Sequence, residues 1–126
     1  MKKLLSGLVL LPILAGCAEI QSTKIAKEAR TKMIGLTKEQ LLQCAGPPAS
    51  KAAKGETEVW RYNSGGGATS YDSDGIGGTT AVTYYCIIDV NINSDRVQRI
   101  DYSGNTSAGL YEDVFCASAI RRCVRN

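Results

Sequence analysis

Histidine is absent from the 126 residues. That removes the usual general base near neutral pH and the commonest metal ligand. The carboxylates are scattered, so no convergent set of reactive groups is legible and no catalytic residue is assigned: the chain reads as a non-enzyme. A long hydrophobic run is missing too. The apolar stretch from Leu4 to Leu14 is eleven residues interrupted by Pro12, whereas a bilayer core takes about 20 residues to span. Charge of one sign is equally scarce: 15 basic and 12 acidic side chains give +3, and loss of Lys2 and Lys3 with a leader would leave +1. That balance gives no footing for nucleic acid. Closely spaced C-x₂-C pairs do not occur either. Cys44, Cys86, Cys116 and Cys123 are separated by 42, 30 and 7 positions, so no zinc site is expected and neither metal nor cofactor is assigned. Asp72-Ser73-Asp74-Gly75 lacks the further ligands and closing glutamate of a calcium loop.

What is present begins with an export signal. Met1-Lys2-Lys3 is a positive n-region, Leu4 to Leu14 an apolar h-region, and Ala15-Gly16 the small residues before a cut. Leu14-Ala15-Gly16-Cys17 resembles the lipobox of bacterial lipoproteins. The resemblance implies residues 1–16 as signal peptide, diacylglycerol on the Cys17 sulfur, cleavage before it, and acylation of the new amino terminus. Membrane lipid is then the first partner, since burial contributes about 0.8 kcal/mol per CH₂ and two or more chains make attachment stable. Ala18 follows where an inner-membrane retention signal would carry aspartate, so analogy with enteric lipoproteins implies the outer membrane. Removal of the leader leaves 110 residues, enough for one small domain.

Residues from Ala18 to about Ser22 read as a short tether, with Ser22 or Thr23 capping a helix to Met33. Ile25, Ala29 and Met33 mark a narrow apolar stripe, read as packing on the domain. Thr37 with Gln40 forms a capping box, and Leu36 with Leu41 a hydrophobic staple. Gly46, Pro47 and Pro48 end that second helix, whose Leu41, Leu42 and Ala45 should face a core. A polar linker to Gly55 precedes a strand over Thr57–Tyr62 with Trp60 and Tyr62 on one face. Asn63 to Thr80 holds six glycines among Ser, Thr and Asp, a composition expected to form a flexible hairpin loop. Val82, Tyr84, Cys86, Ile88, Val90 and Ile92 alternate with more polar residues, predicting one apolar strand face. A turn at 93–96 leads to a third strand, Val97–Tyr102. From Leu110 to Val124, a helix is expected with Leu110, Val114, Ala117, Ile120 and Val124 inward and Arg121 and Arg122 at its end. Asp89 and Asp101 fall on polar strand faces, solvated or paired with Arg61 or Arg99.

An exported location makes the four later cysteines disulfide candidates. On a continuous helix, Cys116 and Cys123 stand about 10.5 Å apart at about 1.5 Å per residue, beyond the roughly 7 Å a disulfide allows. They would then bond to Cys44 and Cys86. A helix broken near Ala117 would instead permit Cys116–Cys123 with Cys44–Cys86.

The order of parts resembles the BamE-type (SmpA/OmlA) outer-membrane lipoproteins. Their pattern is a lipobox, a short helix, G-x-T-x-x-x-(V/L) opening a second helix that ends in G-x-P, a W-x-Y strand and two more strands. Gly35, Thr37, Leu41, Gly46, Pro48, Trp60 and Tyr62 match it in order, and the likeness covers roughly residues 18–102. The expected fold is α+β: two short N-terminal helices on a three-stranded antiparallel sheet, plus a Cys-containing C-terminal helix. The expected division is 1–16 leader, 17–34 lipidated tether and first helix, and 35–126 α+β domain. The resemblance implies a lipid-anchored accessory of β-barrel assembly on the periplasmic face of the outer membrane, with lipid head groups and assembly proteins as partners. A related fold in secreted β-lactamase inhibitors supplies the alternative, a disulfide-stapled inhibitor or secretion-system accessory lipoprotein. Candidate partner-binding residues are Trp60, Tyr62 and Tyr71.

Overall fold

The computed structural model describes residues 17–125 apart from Asp74 and Ile76, without the side chains of 17–19, 66–70, 72, 73 and 80. The expected leader and the Cys17 thiol therefore lie outside the described residues, as does part of the 72–75 loop. The chain runs α1 (Cys17–Lys32), α2 (Lys38–Ala45), β1 (Ser50–Lys54), β2 (Thr57–Ser73), β3 (Thr79–Asn93), β4 (Arg96–Ser103), a 3-10 turn (Val114–Cys116) and α3 (Ala117–Val124). The strands form one antiparallel sheet in the order β1-β2-β3-β4. The α+β class is as expected, with four strands in place of three.

Alternation along β3 sends Cys86, Ile88, Val90 and Ile92 into the core, and Trp60, Tyr62, Val97 and Ile100 join them from the flanking strands. Tyr62 lies across from Ile88, and Val90 from both Trp60 and Ile100. These cross-strand sets present one apolar face. Ala26 and Ala29 of α1 with Met33 just past its end, Leu41 of α2, and Ile120 and Val124 of α3 cover that face in a single cluster. Residues 17–34 thus share the core of residues 35–126.

The α2 termini follow their local signals. Thr37 Oγ1 accepts from Gln40 N–H at 3.2 Å, while Thr37 N–H donates to Gln40 Oε1 at 3.0 Å. Gly46, at φ 76°, closes the helix by donating its N–H to Leu42 O, a backbone state that favours glycine. Leu41 is buried and Ala45 partly so, but Leu42 is on the exposed side. The β3–β4 turn is equally local: Ser94 and Asp95 both take positive φ, 53° and 65°, the geometry of a two-residue hairpin whose twist matches its strands.

Elsewhere the structure departs from expectation. The expected linker contains β1, whose five residues, Ser-Lys-Ala-Ala-Lys, are all exposed; an edge strand without a buried face leaves no hydrophobic alternation to read. The expected loop at 63–80 is mostly strand, since β2 and β3 stay paired from Ala68–Tyr84 out to Ser73–Thr79, after an irregularity between Ser64 and Ala68. Backbone pairing supplies what side-chain composition does not. Helix α1 already includes Cys17–Ser22 in place of the expected tether, since no Gly or Pro interrupts residues 18–22. The C-terminal helix is shorter: Ala108 and Tyr111 exchange backbone hydrogen bonds of 3.1 and 2.9 Å. Leu110 projects from that turn 99% exposed. Asp113 then takes a left-handed φ of 51°, its carboxylate accepting from Thr106 Oγ1 at 2.7 Å and its N–H donating to Ser107 Oγ.

Two disulfides fasten this C-terminal segment. Cys44 of α2 bonds Cys123 of α3, and Cys86 of β3 bonds Cys116, with Cα separations of 4.9 and 5.1 Å. This is the nonlocal pairing. Cys116 ends the 3-10 turn and Cys123 lies near the end of α3, so the two point to different layers. Either bond alone contributes on the order of 3 to 5 kcal/mol by loop closure.

Candidate functional site

Of the three partner-binding candidates, two are internal. Trp60 and Tyr62 are 2% and 4% exposed, so their shared face is core. Glu58, two residues before Trp60 on the same face, accepts from Trp60 Nε1–H at 2.6 Å and pairs with Lys38 Nζ at 2.6 Å. Lys51 of β1 sits 4.4 Å above the indole ring, a cation–π contact that closes the edge over it. The Lys38 hydrogen bond, then that of Trp60, holds the Glu58 carboxyl below its ordinary range, and Glu58 in turn raises Lys38. The Tyr62 hydroxyl donates to Gly46 O at 3.0 Å, and burial pushes its phenol up to about 12. The W-x-Y residues therefore tie α2 to the sheet.

Tyr71 is different. It lies on the distal half of the β2–β3 hairpin, opposite Ala81, and is 73% exposed. Parity along β3 puts Ala81 and Tyr85 on the same helix-free face, and Tyr85 is 44% exposed. The base of this arm is held on both faces. On the outer one, the Tyr85 ring rests against Gly104 so closely that a Cβ there would stand 2.6 Å from Cε2, which requires glycine. Asn105 accepts from Tyr85 N–H and donates through Nδ2 to Thr83 O. On the inner face, Tyr84 stacks on Phe115 at 4.7 Å. Past that base, the arm extends about 20 Å at about 3.4 Å per residue.

The remaining helix-free surface of the sheet is mostly polar, with Val59 and Ile87 half-buried on it. Arg61 grips Asp89 through two hydrogen bonds of 2.8 and 2.9 Å, which hold the Asp89 carboxyl low and raise the guanidinium. Asp101, across from Asp89, accepts from Arg99 Nε at 2.9 Å and from Asn91 Nδ2 at 3.1 Å. The carboxylates are thus paired with arginine and not poised for proton transfer. Two grooves border this lattice. One of about 380 Å³ is lined by Thr57, Asn91, Asn93, Gln98 and Arg99. The other, about 490 Å³, follows β4 past Arg30, Ile34 and Tyr102. Among the described residues, no three of His, Cys, Asp and Glu gather to hold a metal, and no helix is long and apolar enough to cross a membrane.

The arrangement is suited to binding through strand edges and an exposed aromatic arm. Reading the sequence missed β1, the Lys38–Glu58–Trp60–Lys51 cluster and the β4 groove. Only the cluster left a signal, a glutamate two positions before a tryptophan on the same strand face. Compared with protein families, curated proteins and solved structures, the chain matches none.

Proposed function

We propose that this protein is a lipid-anchored binding or scaffold module of a bacterial cell envelope. It is held through acylated Cys17 at the periplasmic face of the outer membrane and serves as an accessory of β-barrel assembly, in the manner of BamE-type lipoproteins. The observation that carries the reading is the lipobox-like Leu14-Ala15-Gly16-Cys17 directly before a helix integral to the core. From Cys17 to Ala26, nine residues of helix rise about 13.5 Å at about 1.5 Å each, so an acylated Cys17 would keep the body close to the leaflet. Two disulfides fit an oxidising compartment. The capping box, Gly46 stop and W-x-Y core strand supply the family-like frame.

Metabolic labelling with an alkyne-tagged fatty acid tests the anchor: label on the wild type and none on Cys17→Ser is expected, and an unlabelled wild type would sink it. Depletion tests the role, with reduced outer-membrane barrel content expected and unchanged porin levels counting against it. A second reading, a disulfide-stapled inhibitor or secretion-system accessory, is favoured by the projecting arm with Tyr71 exposed. That arm has the form of a wedge for a partner's cleft. Pull-down under mild detergent separates the two by the identity of what is retained.

A further inference from the structure

The two edges of the sheet are treated differently. β1 is five residues long, and Lys51 and Lys54 sit on it, Lys51 clamped over Trp60. Short, lysine-bearing edges resist further pairing. β4 is eight residues, Arg96–Ser103, with neither lysine nor proline. Its start is covered: Gly35 N–H donates to Val97 O and Val97 N–H to Leu36 O, each at 2.8 Å. Beyond the irregularity at Gln98, the outward backbone of 99–103 has no hydrogen-bond partner among the described residues. The groove of about 490 Å³ runs along this stretch. Ile34 stands on its wall, 43% exposed.

From this edge we propose that β4 pairs antiparallel with β4 of a second copy, about a twofold axis on Ile100 and normal to the sheet. Charge complementarity selects both the occupant and the register. Arg99 and Asp101 flank Ile100 on the helix-free face, where they bond each other at 2.9 Å. A dyad on Ile100 sets Arg99 opposite Asp101 of the second copy, and the converse, making two cross-copy ion pairs. A dyad on Asp101 would instead oppose two carboxylates, which disfavours that register. Pairs in such a ladder must share a face, so the axis falls on a residue, and an axis normal to the sheet keeps both helical layers on one side. The result is an eight-stranded sheet over one helical layer, with Ile34 of each copy brought towards the seam. About this axis residues 99–101 pair with one another and Tyr102 falls opposite Gln98, while Val97 stays covered by Gly35 and Leu36; so small an interface is expected to be weak, with a dissociation constant on the order of micromolar or above. The inference goes beyond the proposed role and is independent of lipid attachment.

Sedimentation of the purified full chain in non-ionic detergent tests it, together with hydrogen exchange of the 99–103 amides over a range of concentration. A dimer with protection that rises with concentration is expected. Arg99→Asp alone and Asp101→Arg alone should each weaken the dimer tenfold or more, by setting like charges across the axis, and R99D/D101R together should restore it. Unchanged disulfide mapping identifies the variants that remain folded. A wild type that stays monomeric at several hundred micromolar overturns the proposal. So does a dimer indifferent to both reversals, or a double variant that remains monomeric. Protection of 99–103 only on adding an unrelated extended peptide also overturns it, in favour of strand capture from another protein.

Discussion

Strands β2 and β3 pass through two environments. Below the irregularity at Ser64–Ala68, their inner residues Trp60, Tyr62, Ile88 and Val90 lie beneath the helices. Beyond it, the same strands continue as an arm whose Tyr71 faces solvent. The lower half is stabilised chiefly by burial, at about 25 cal/mol per Å² of apolar surface. The arm relies on backbone pairing and on its fastened base. A two-stranded hairpin alone is marginal in water, so strand geometry here extends well past the region that determines stability.

The strongest challenge to this contrast is removal of the buried bond at its boundary. Cys86→Ala with Cys116→Ala should cost on the order of 4 kcal/mol, read as a fall in the urea midpoint. Ile88→Ala, in the covered half, should cost about 3 kcal/mol, whereas Val82→Ala on the arm should cost under about 1 kcal/mol; equal losses would erase the distinction. Thr37→Ala removes the α2 cap and should lose about 1 kcal/mol in the same assay.

Acid titration probes the carboxylates anchored on the covered half of the sheet. Asp89 and Glu58 are held below their ordinary range. Their stabilisation is therefore present above about pH 4 to 4.5, where the unfolded chain ionises, and is lost as pH falls through the lowered folded values. Asp89→Asn should flatten part of that acid limb. Tyr62, raised to about 12 by burial, works in the opposite sense. Its contribution is complete below about pH 10 and is lost as pH climbs towards the folded value, and Tyr62→Phe should remove that alkaline loss. The smallest effect belongs to the arm: Tyr71→Ala should change stability by less than about 0.5 kcal/mol, while reducing recovery of an envelope partner in a pull-down.

The parts legible beforehand are those whose cause is local or periodic. Thr37 and Gln40 signal their cap within four residues, and Gly46 with the prolines signals the stop. The β3 alternation identifies the buried face residue by residue. Leu42 and Leu110 break the expectation that apolar residues point inward: Leu42 lies on the solvent side of α2, and the turn at Ala108–Tyr111 carries Leu110 outward. Trp60 and Tyr62, named as partner-binding candidates, lie in the core instead, since a shared strand face does not by itself say whether helices cover it. β1 offered nothing to read, since pairing to Arg61–Thr57 is a property of its neighbour and not of Ser-Lys-Ala-Ala-Lys. The Gly-rich half of the hairpin was illegible for the same reason.

Residue order alone establishes the capped second helix, the apolar face of β3, a turn at 93–96 and a balanced charge without histidine, because each is encoded within a few neighbouring positions. Tertiary structure chooses which cysteines meet, which edge of the sheet remains open, and which aromatics reach solvent. Those outcomes depend on distances between elements far apart in the chain, such as Cys44 to Cys123, and no local pattern contains such distances.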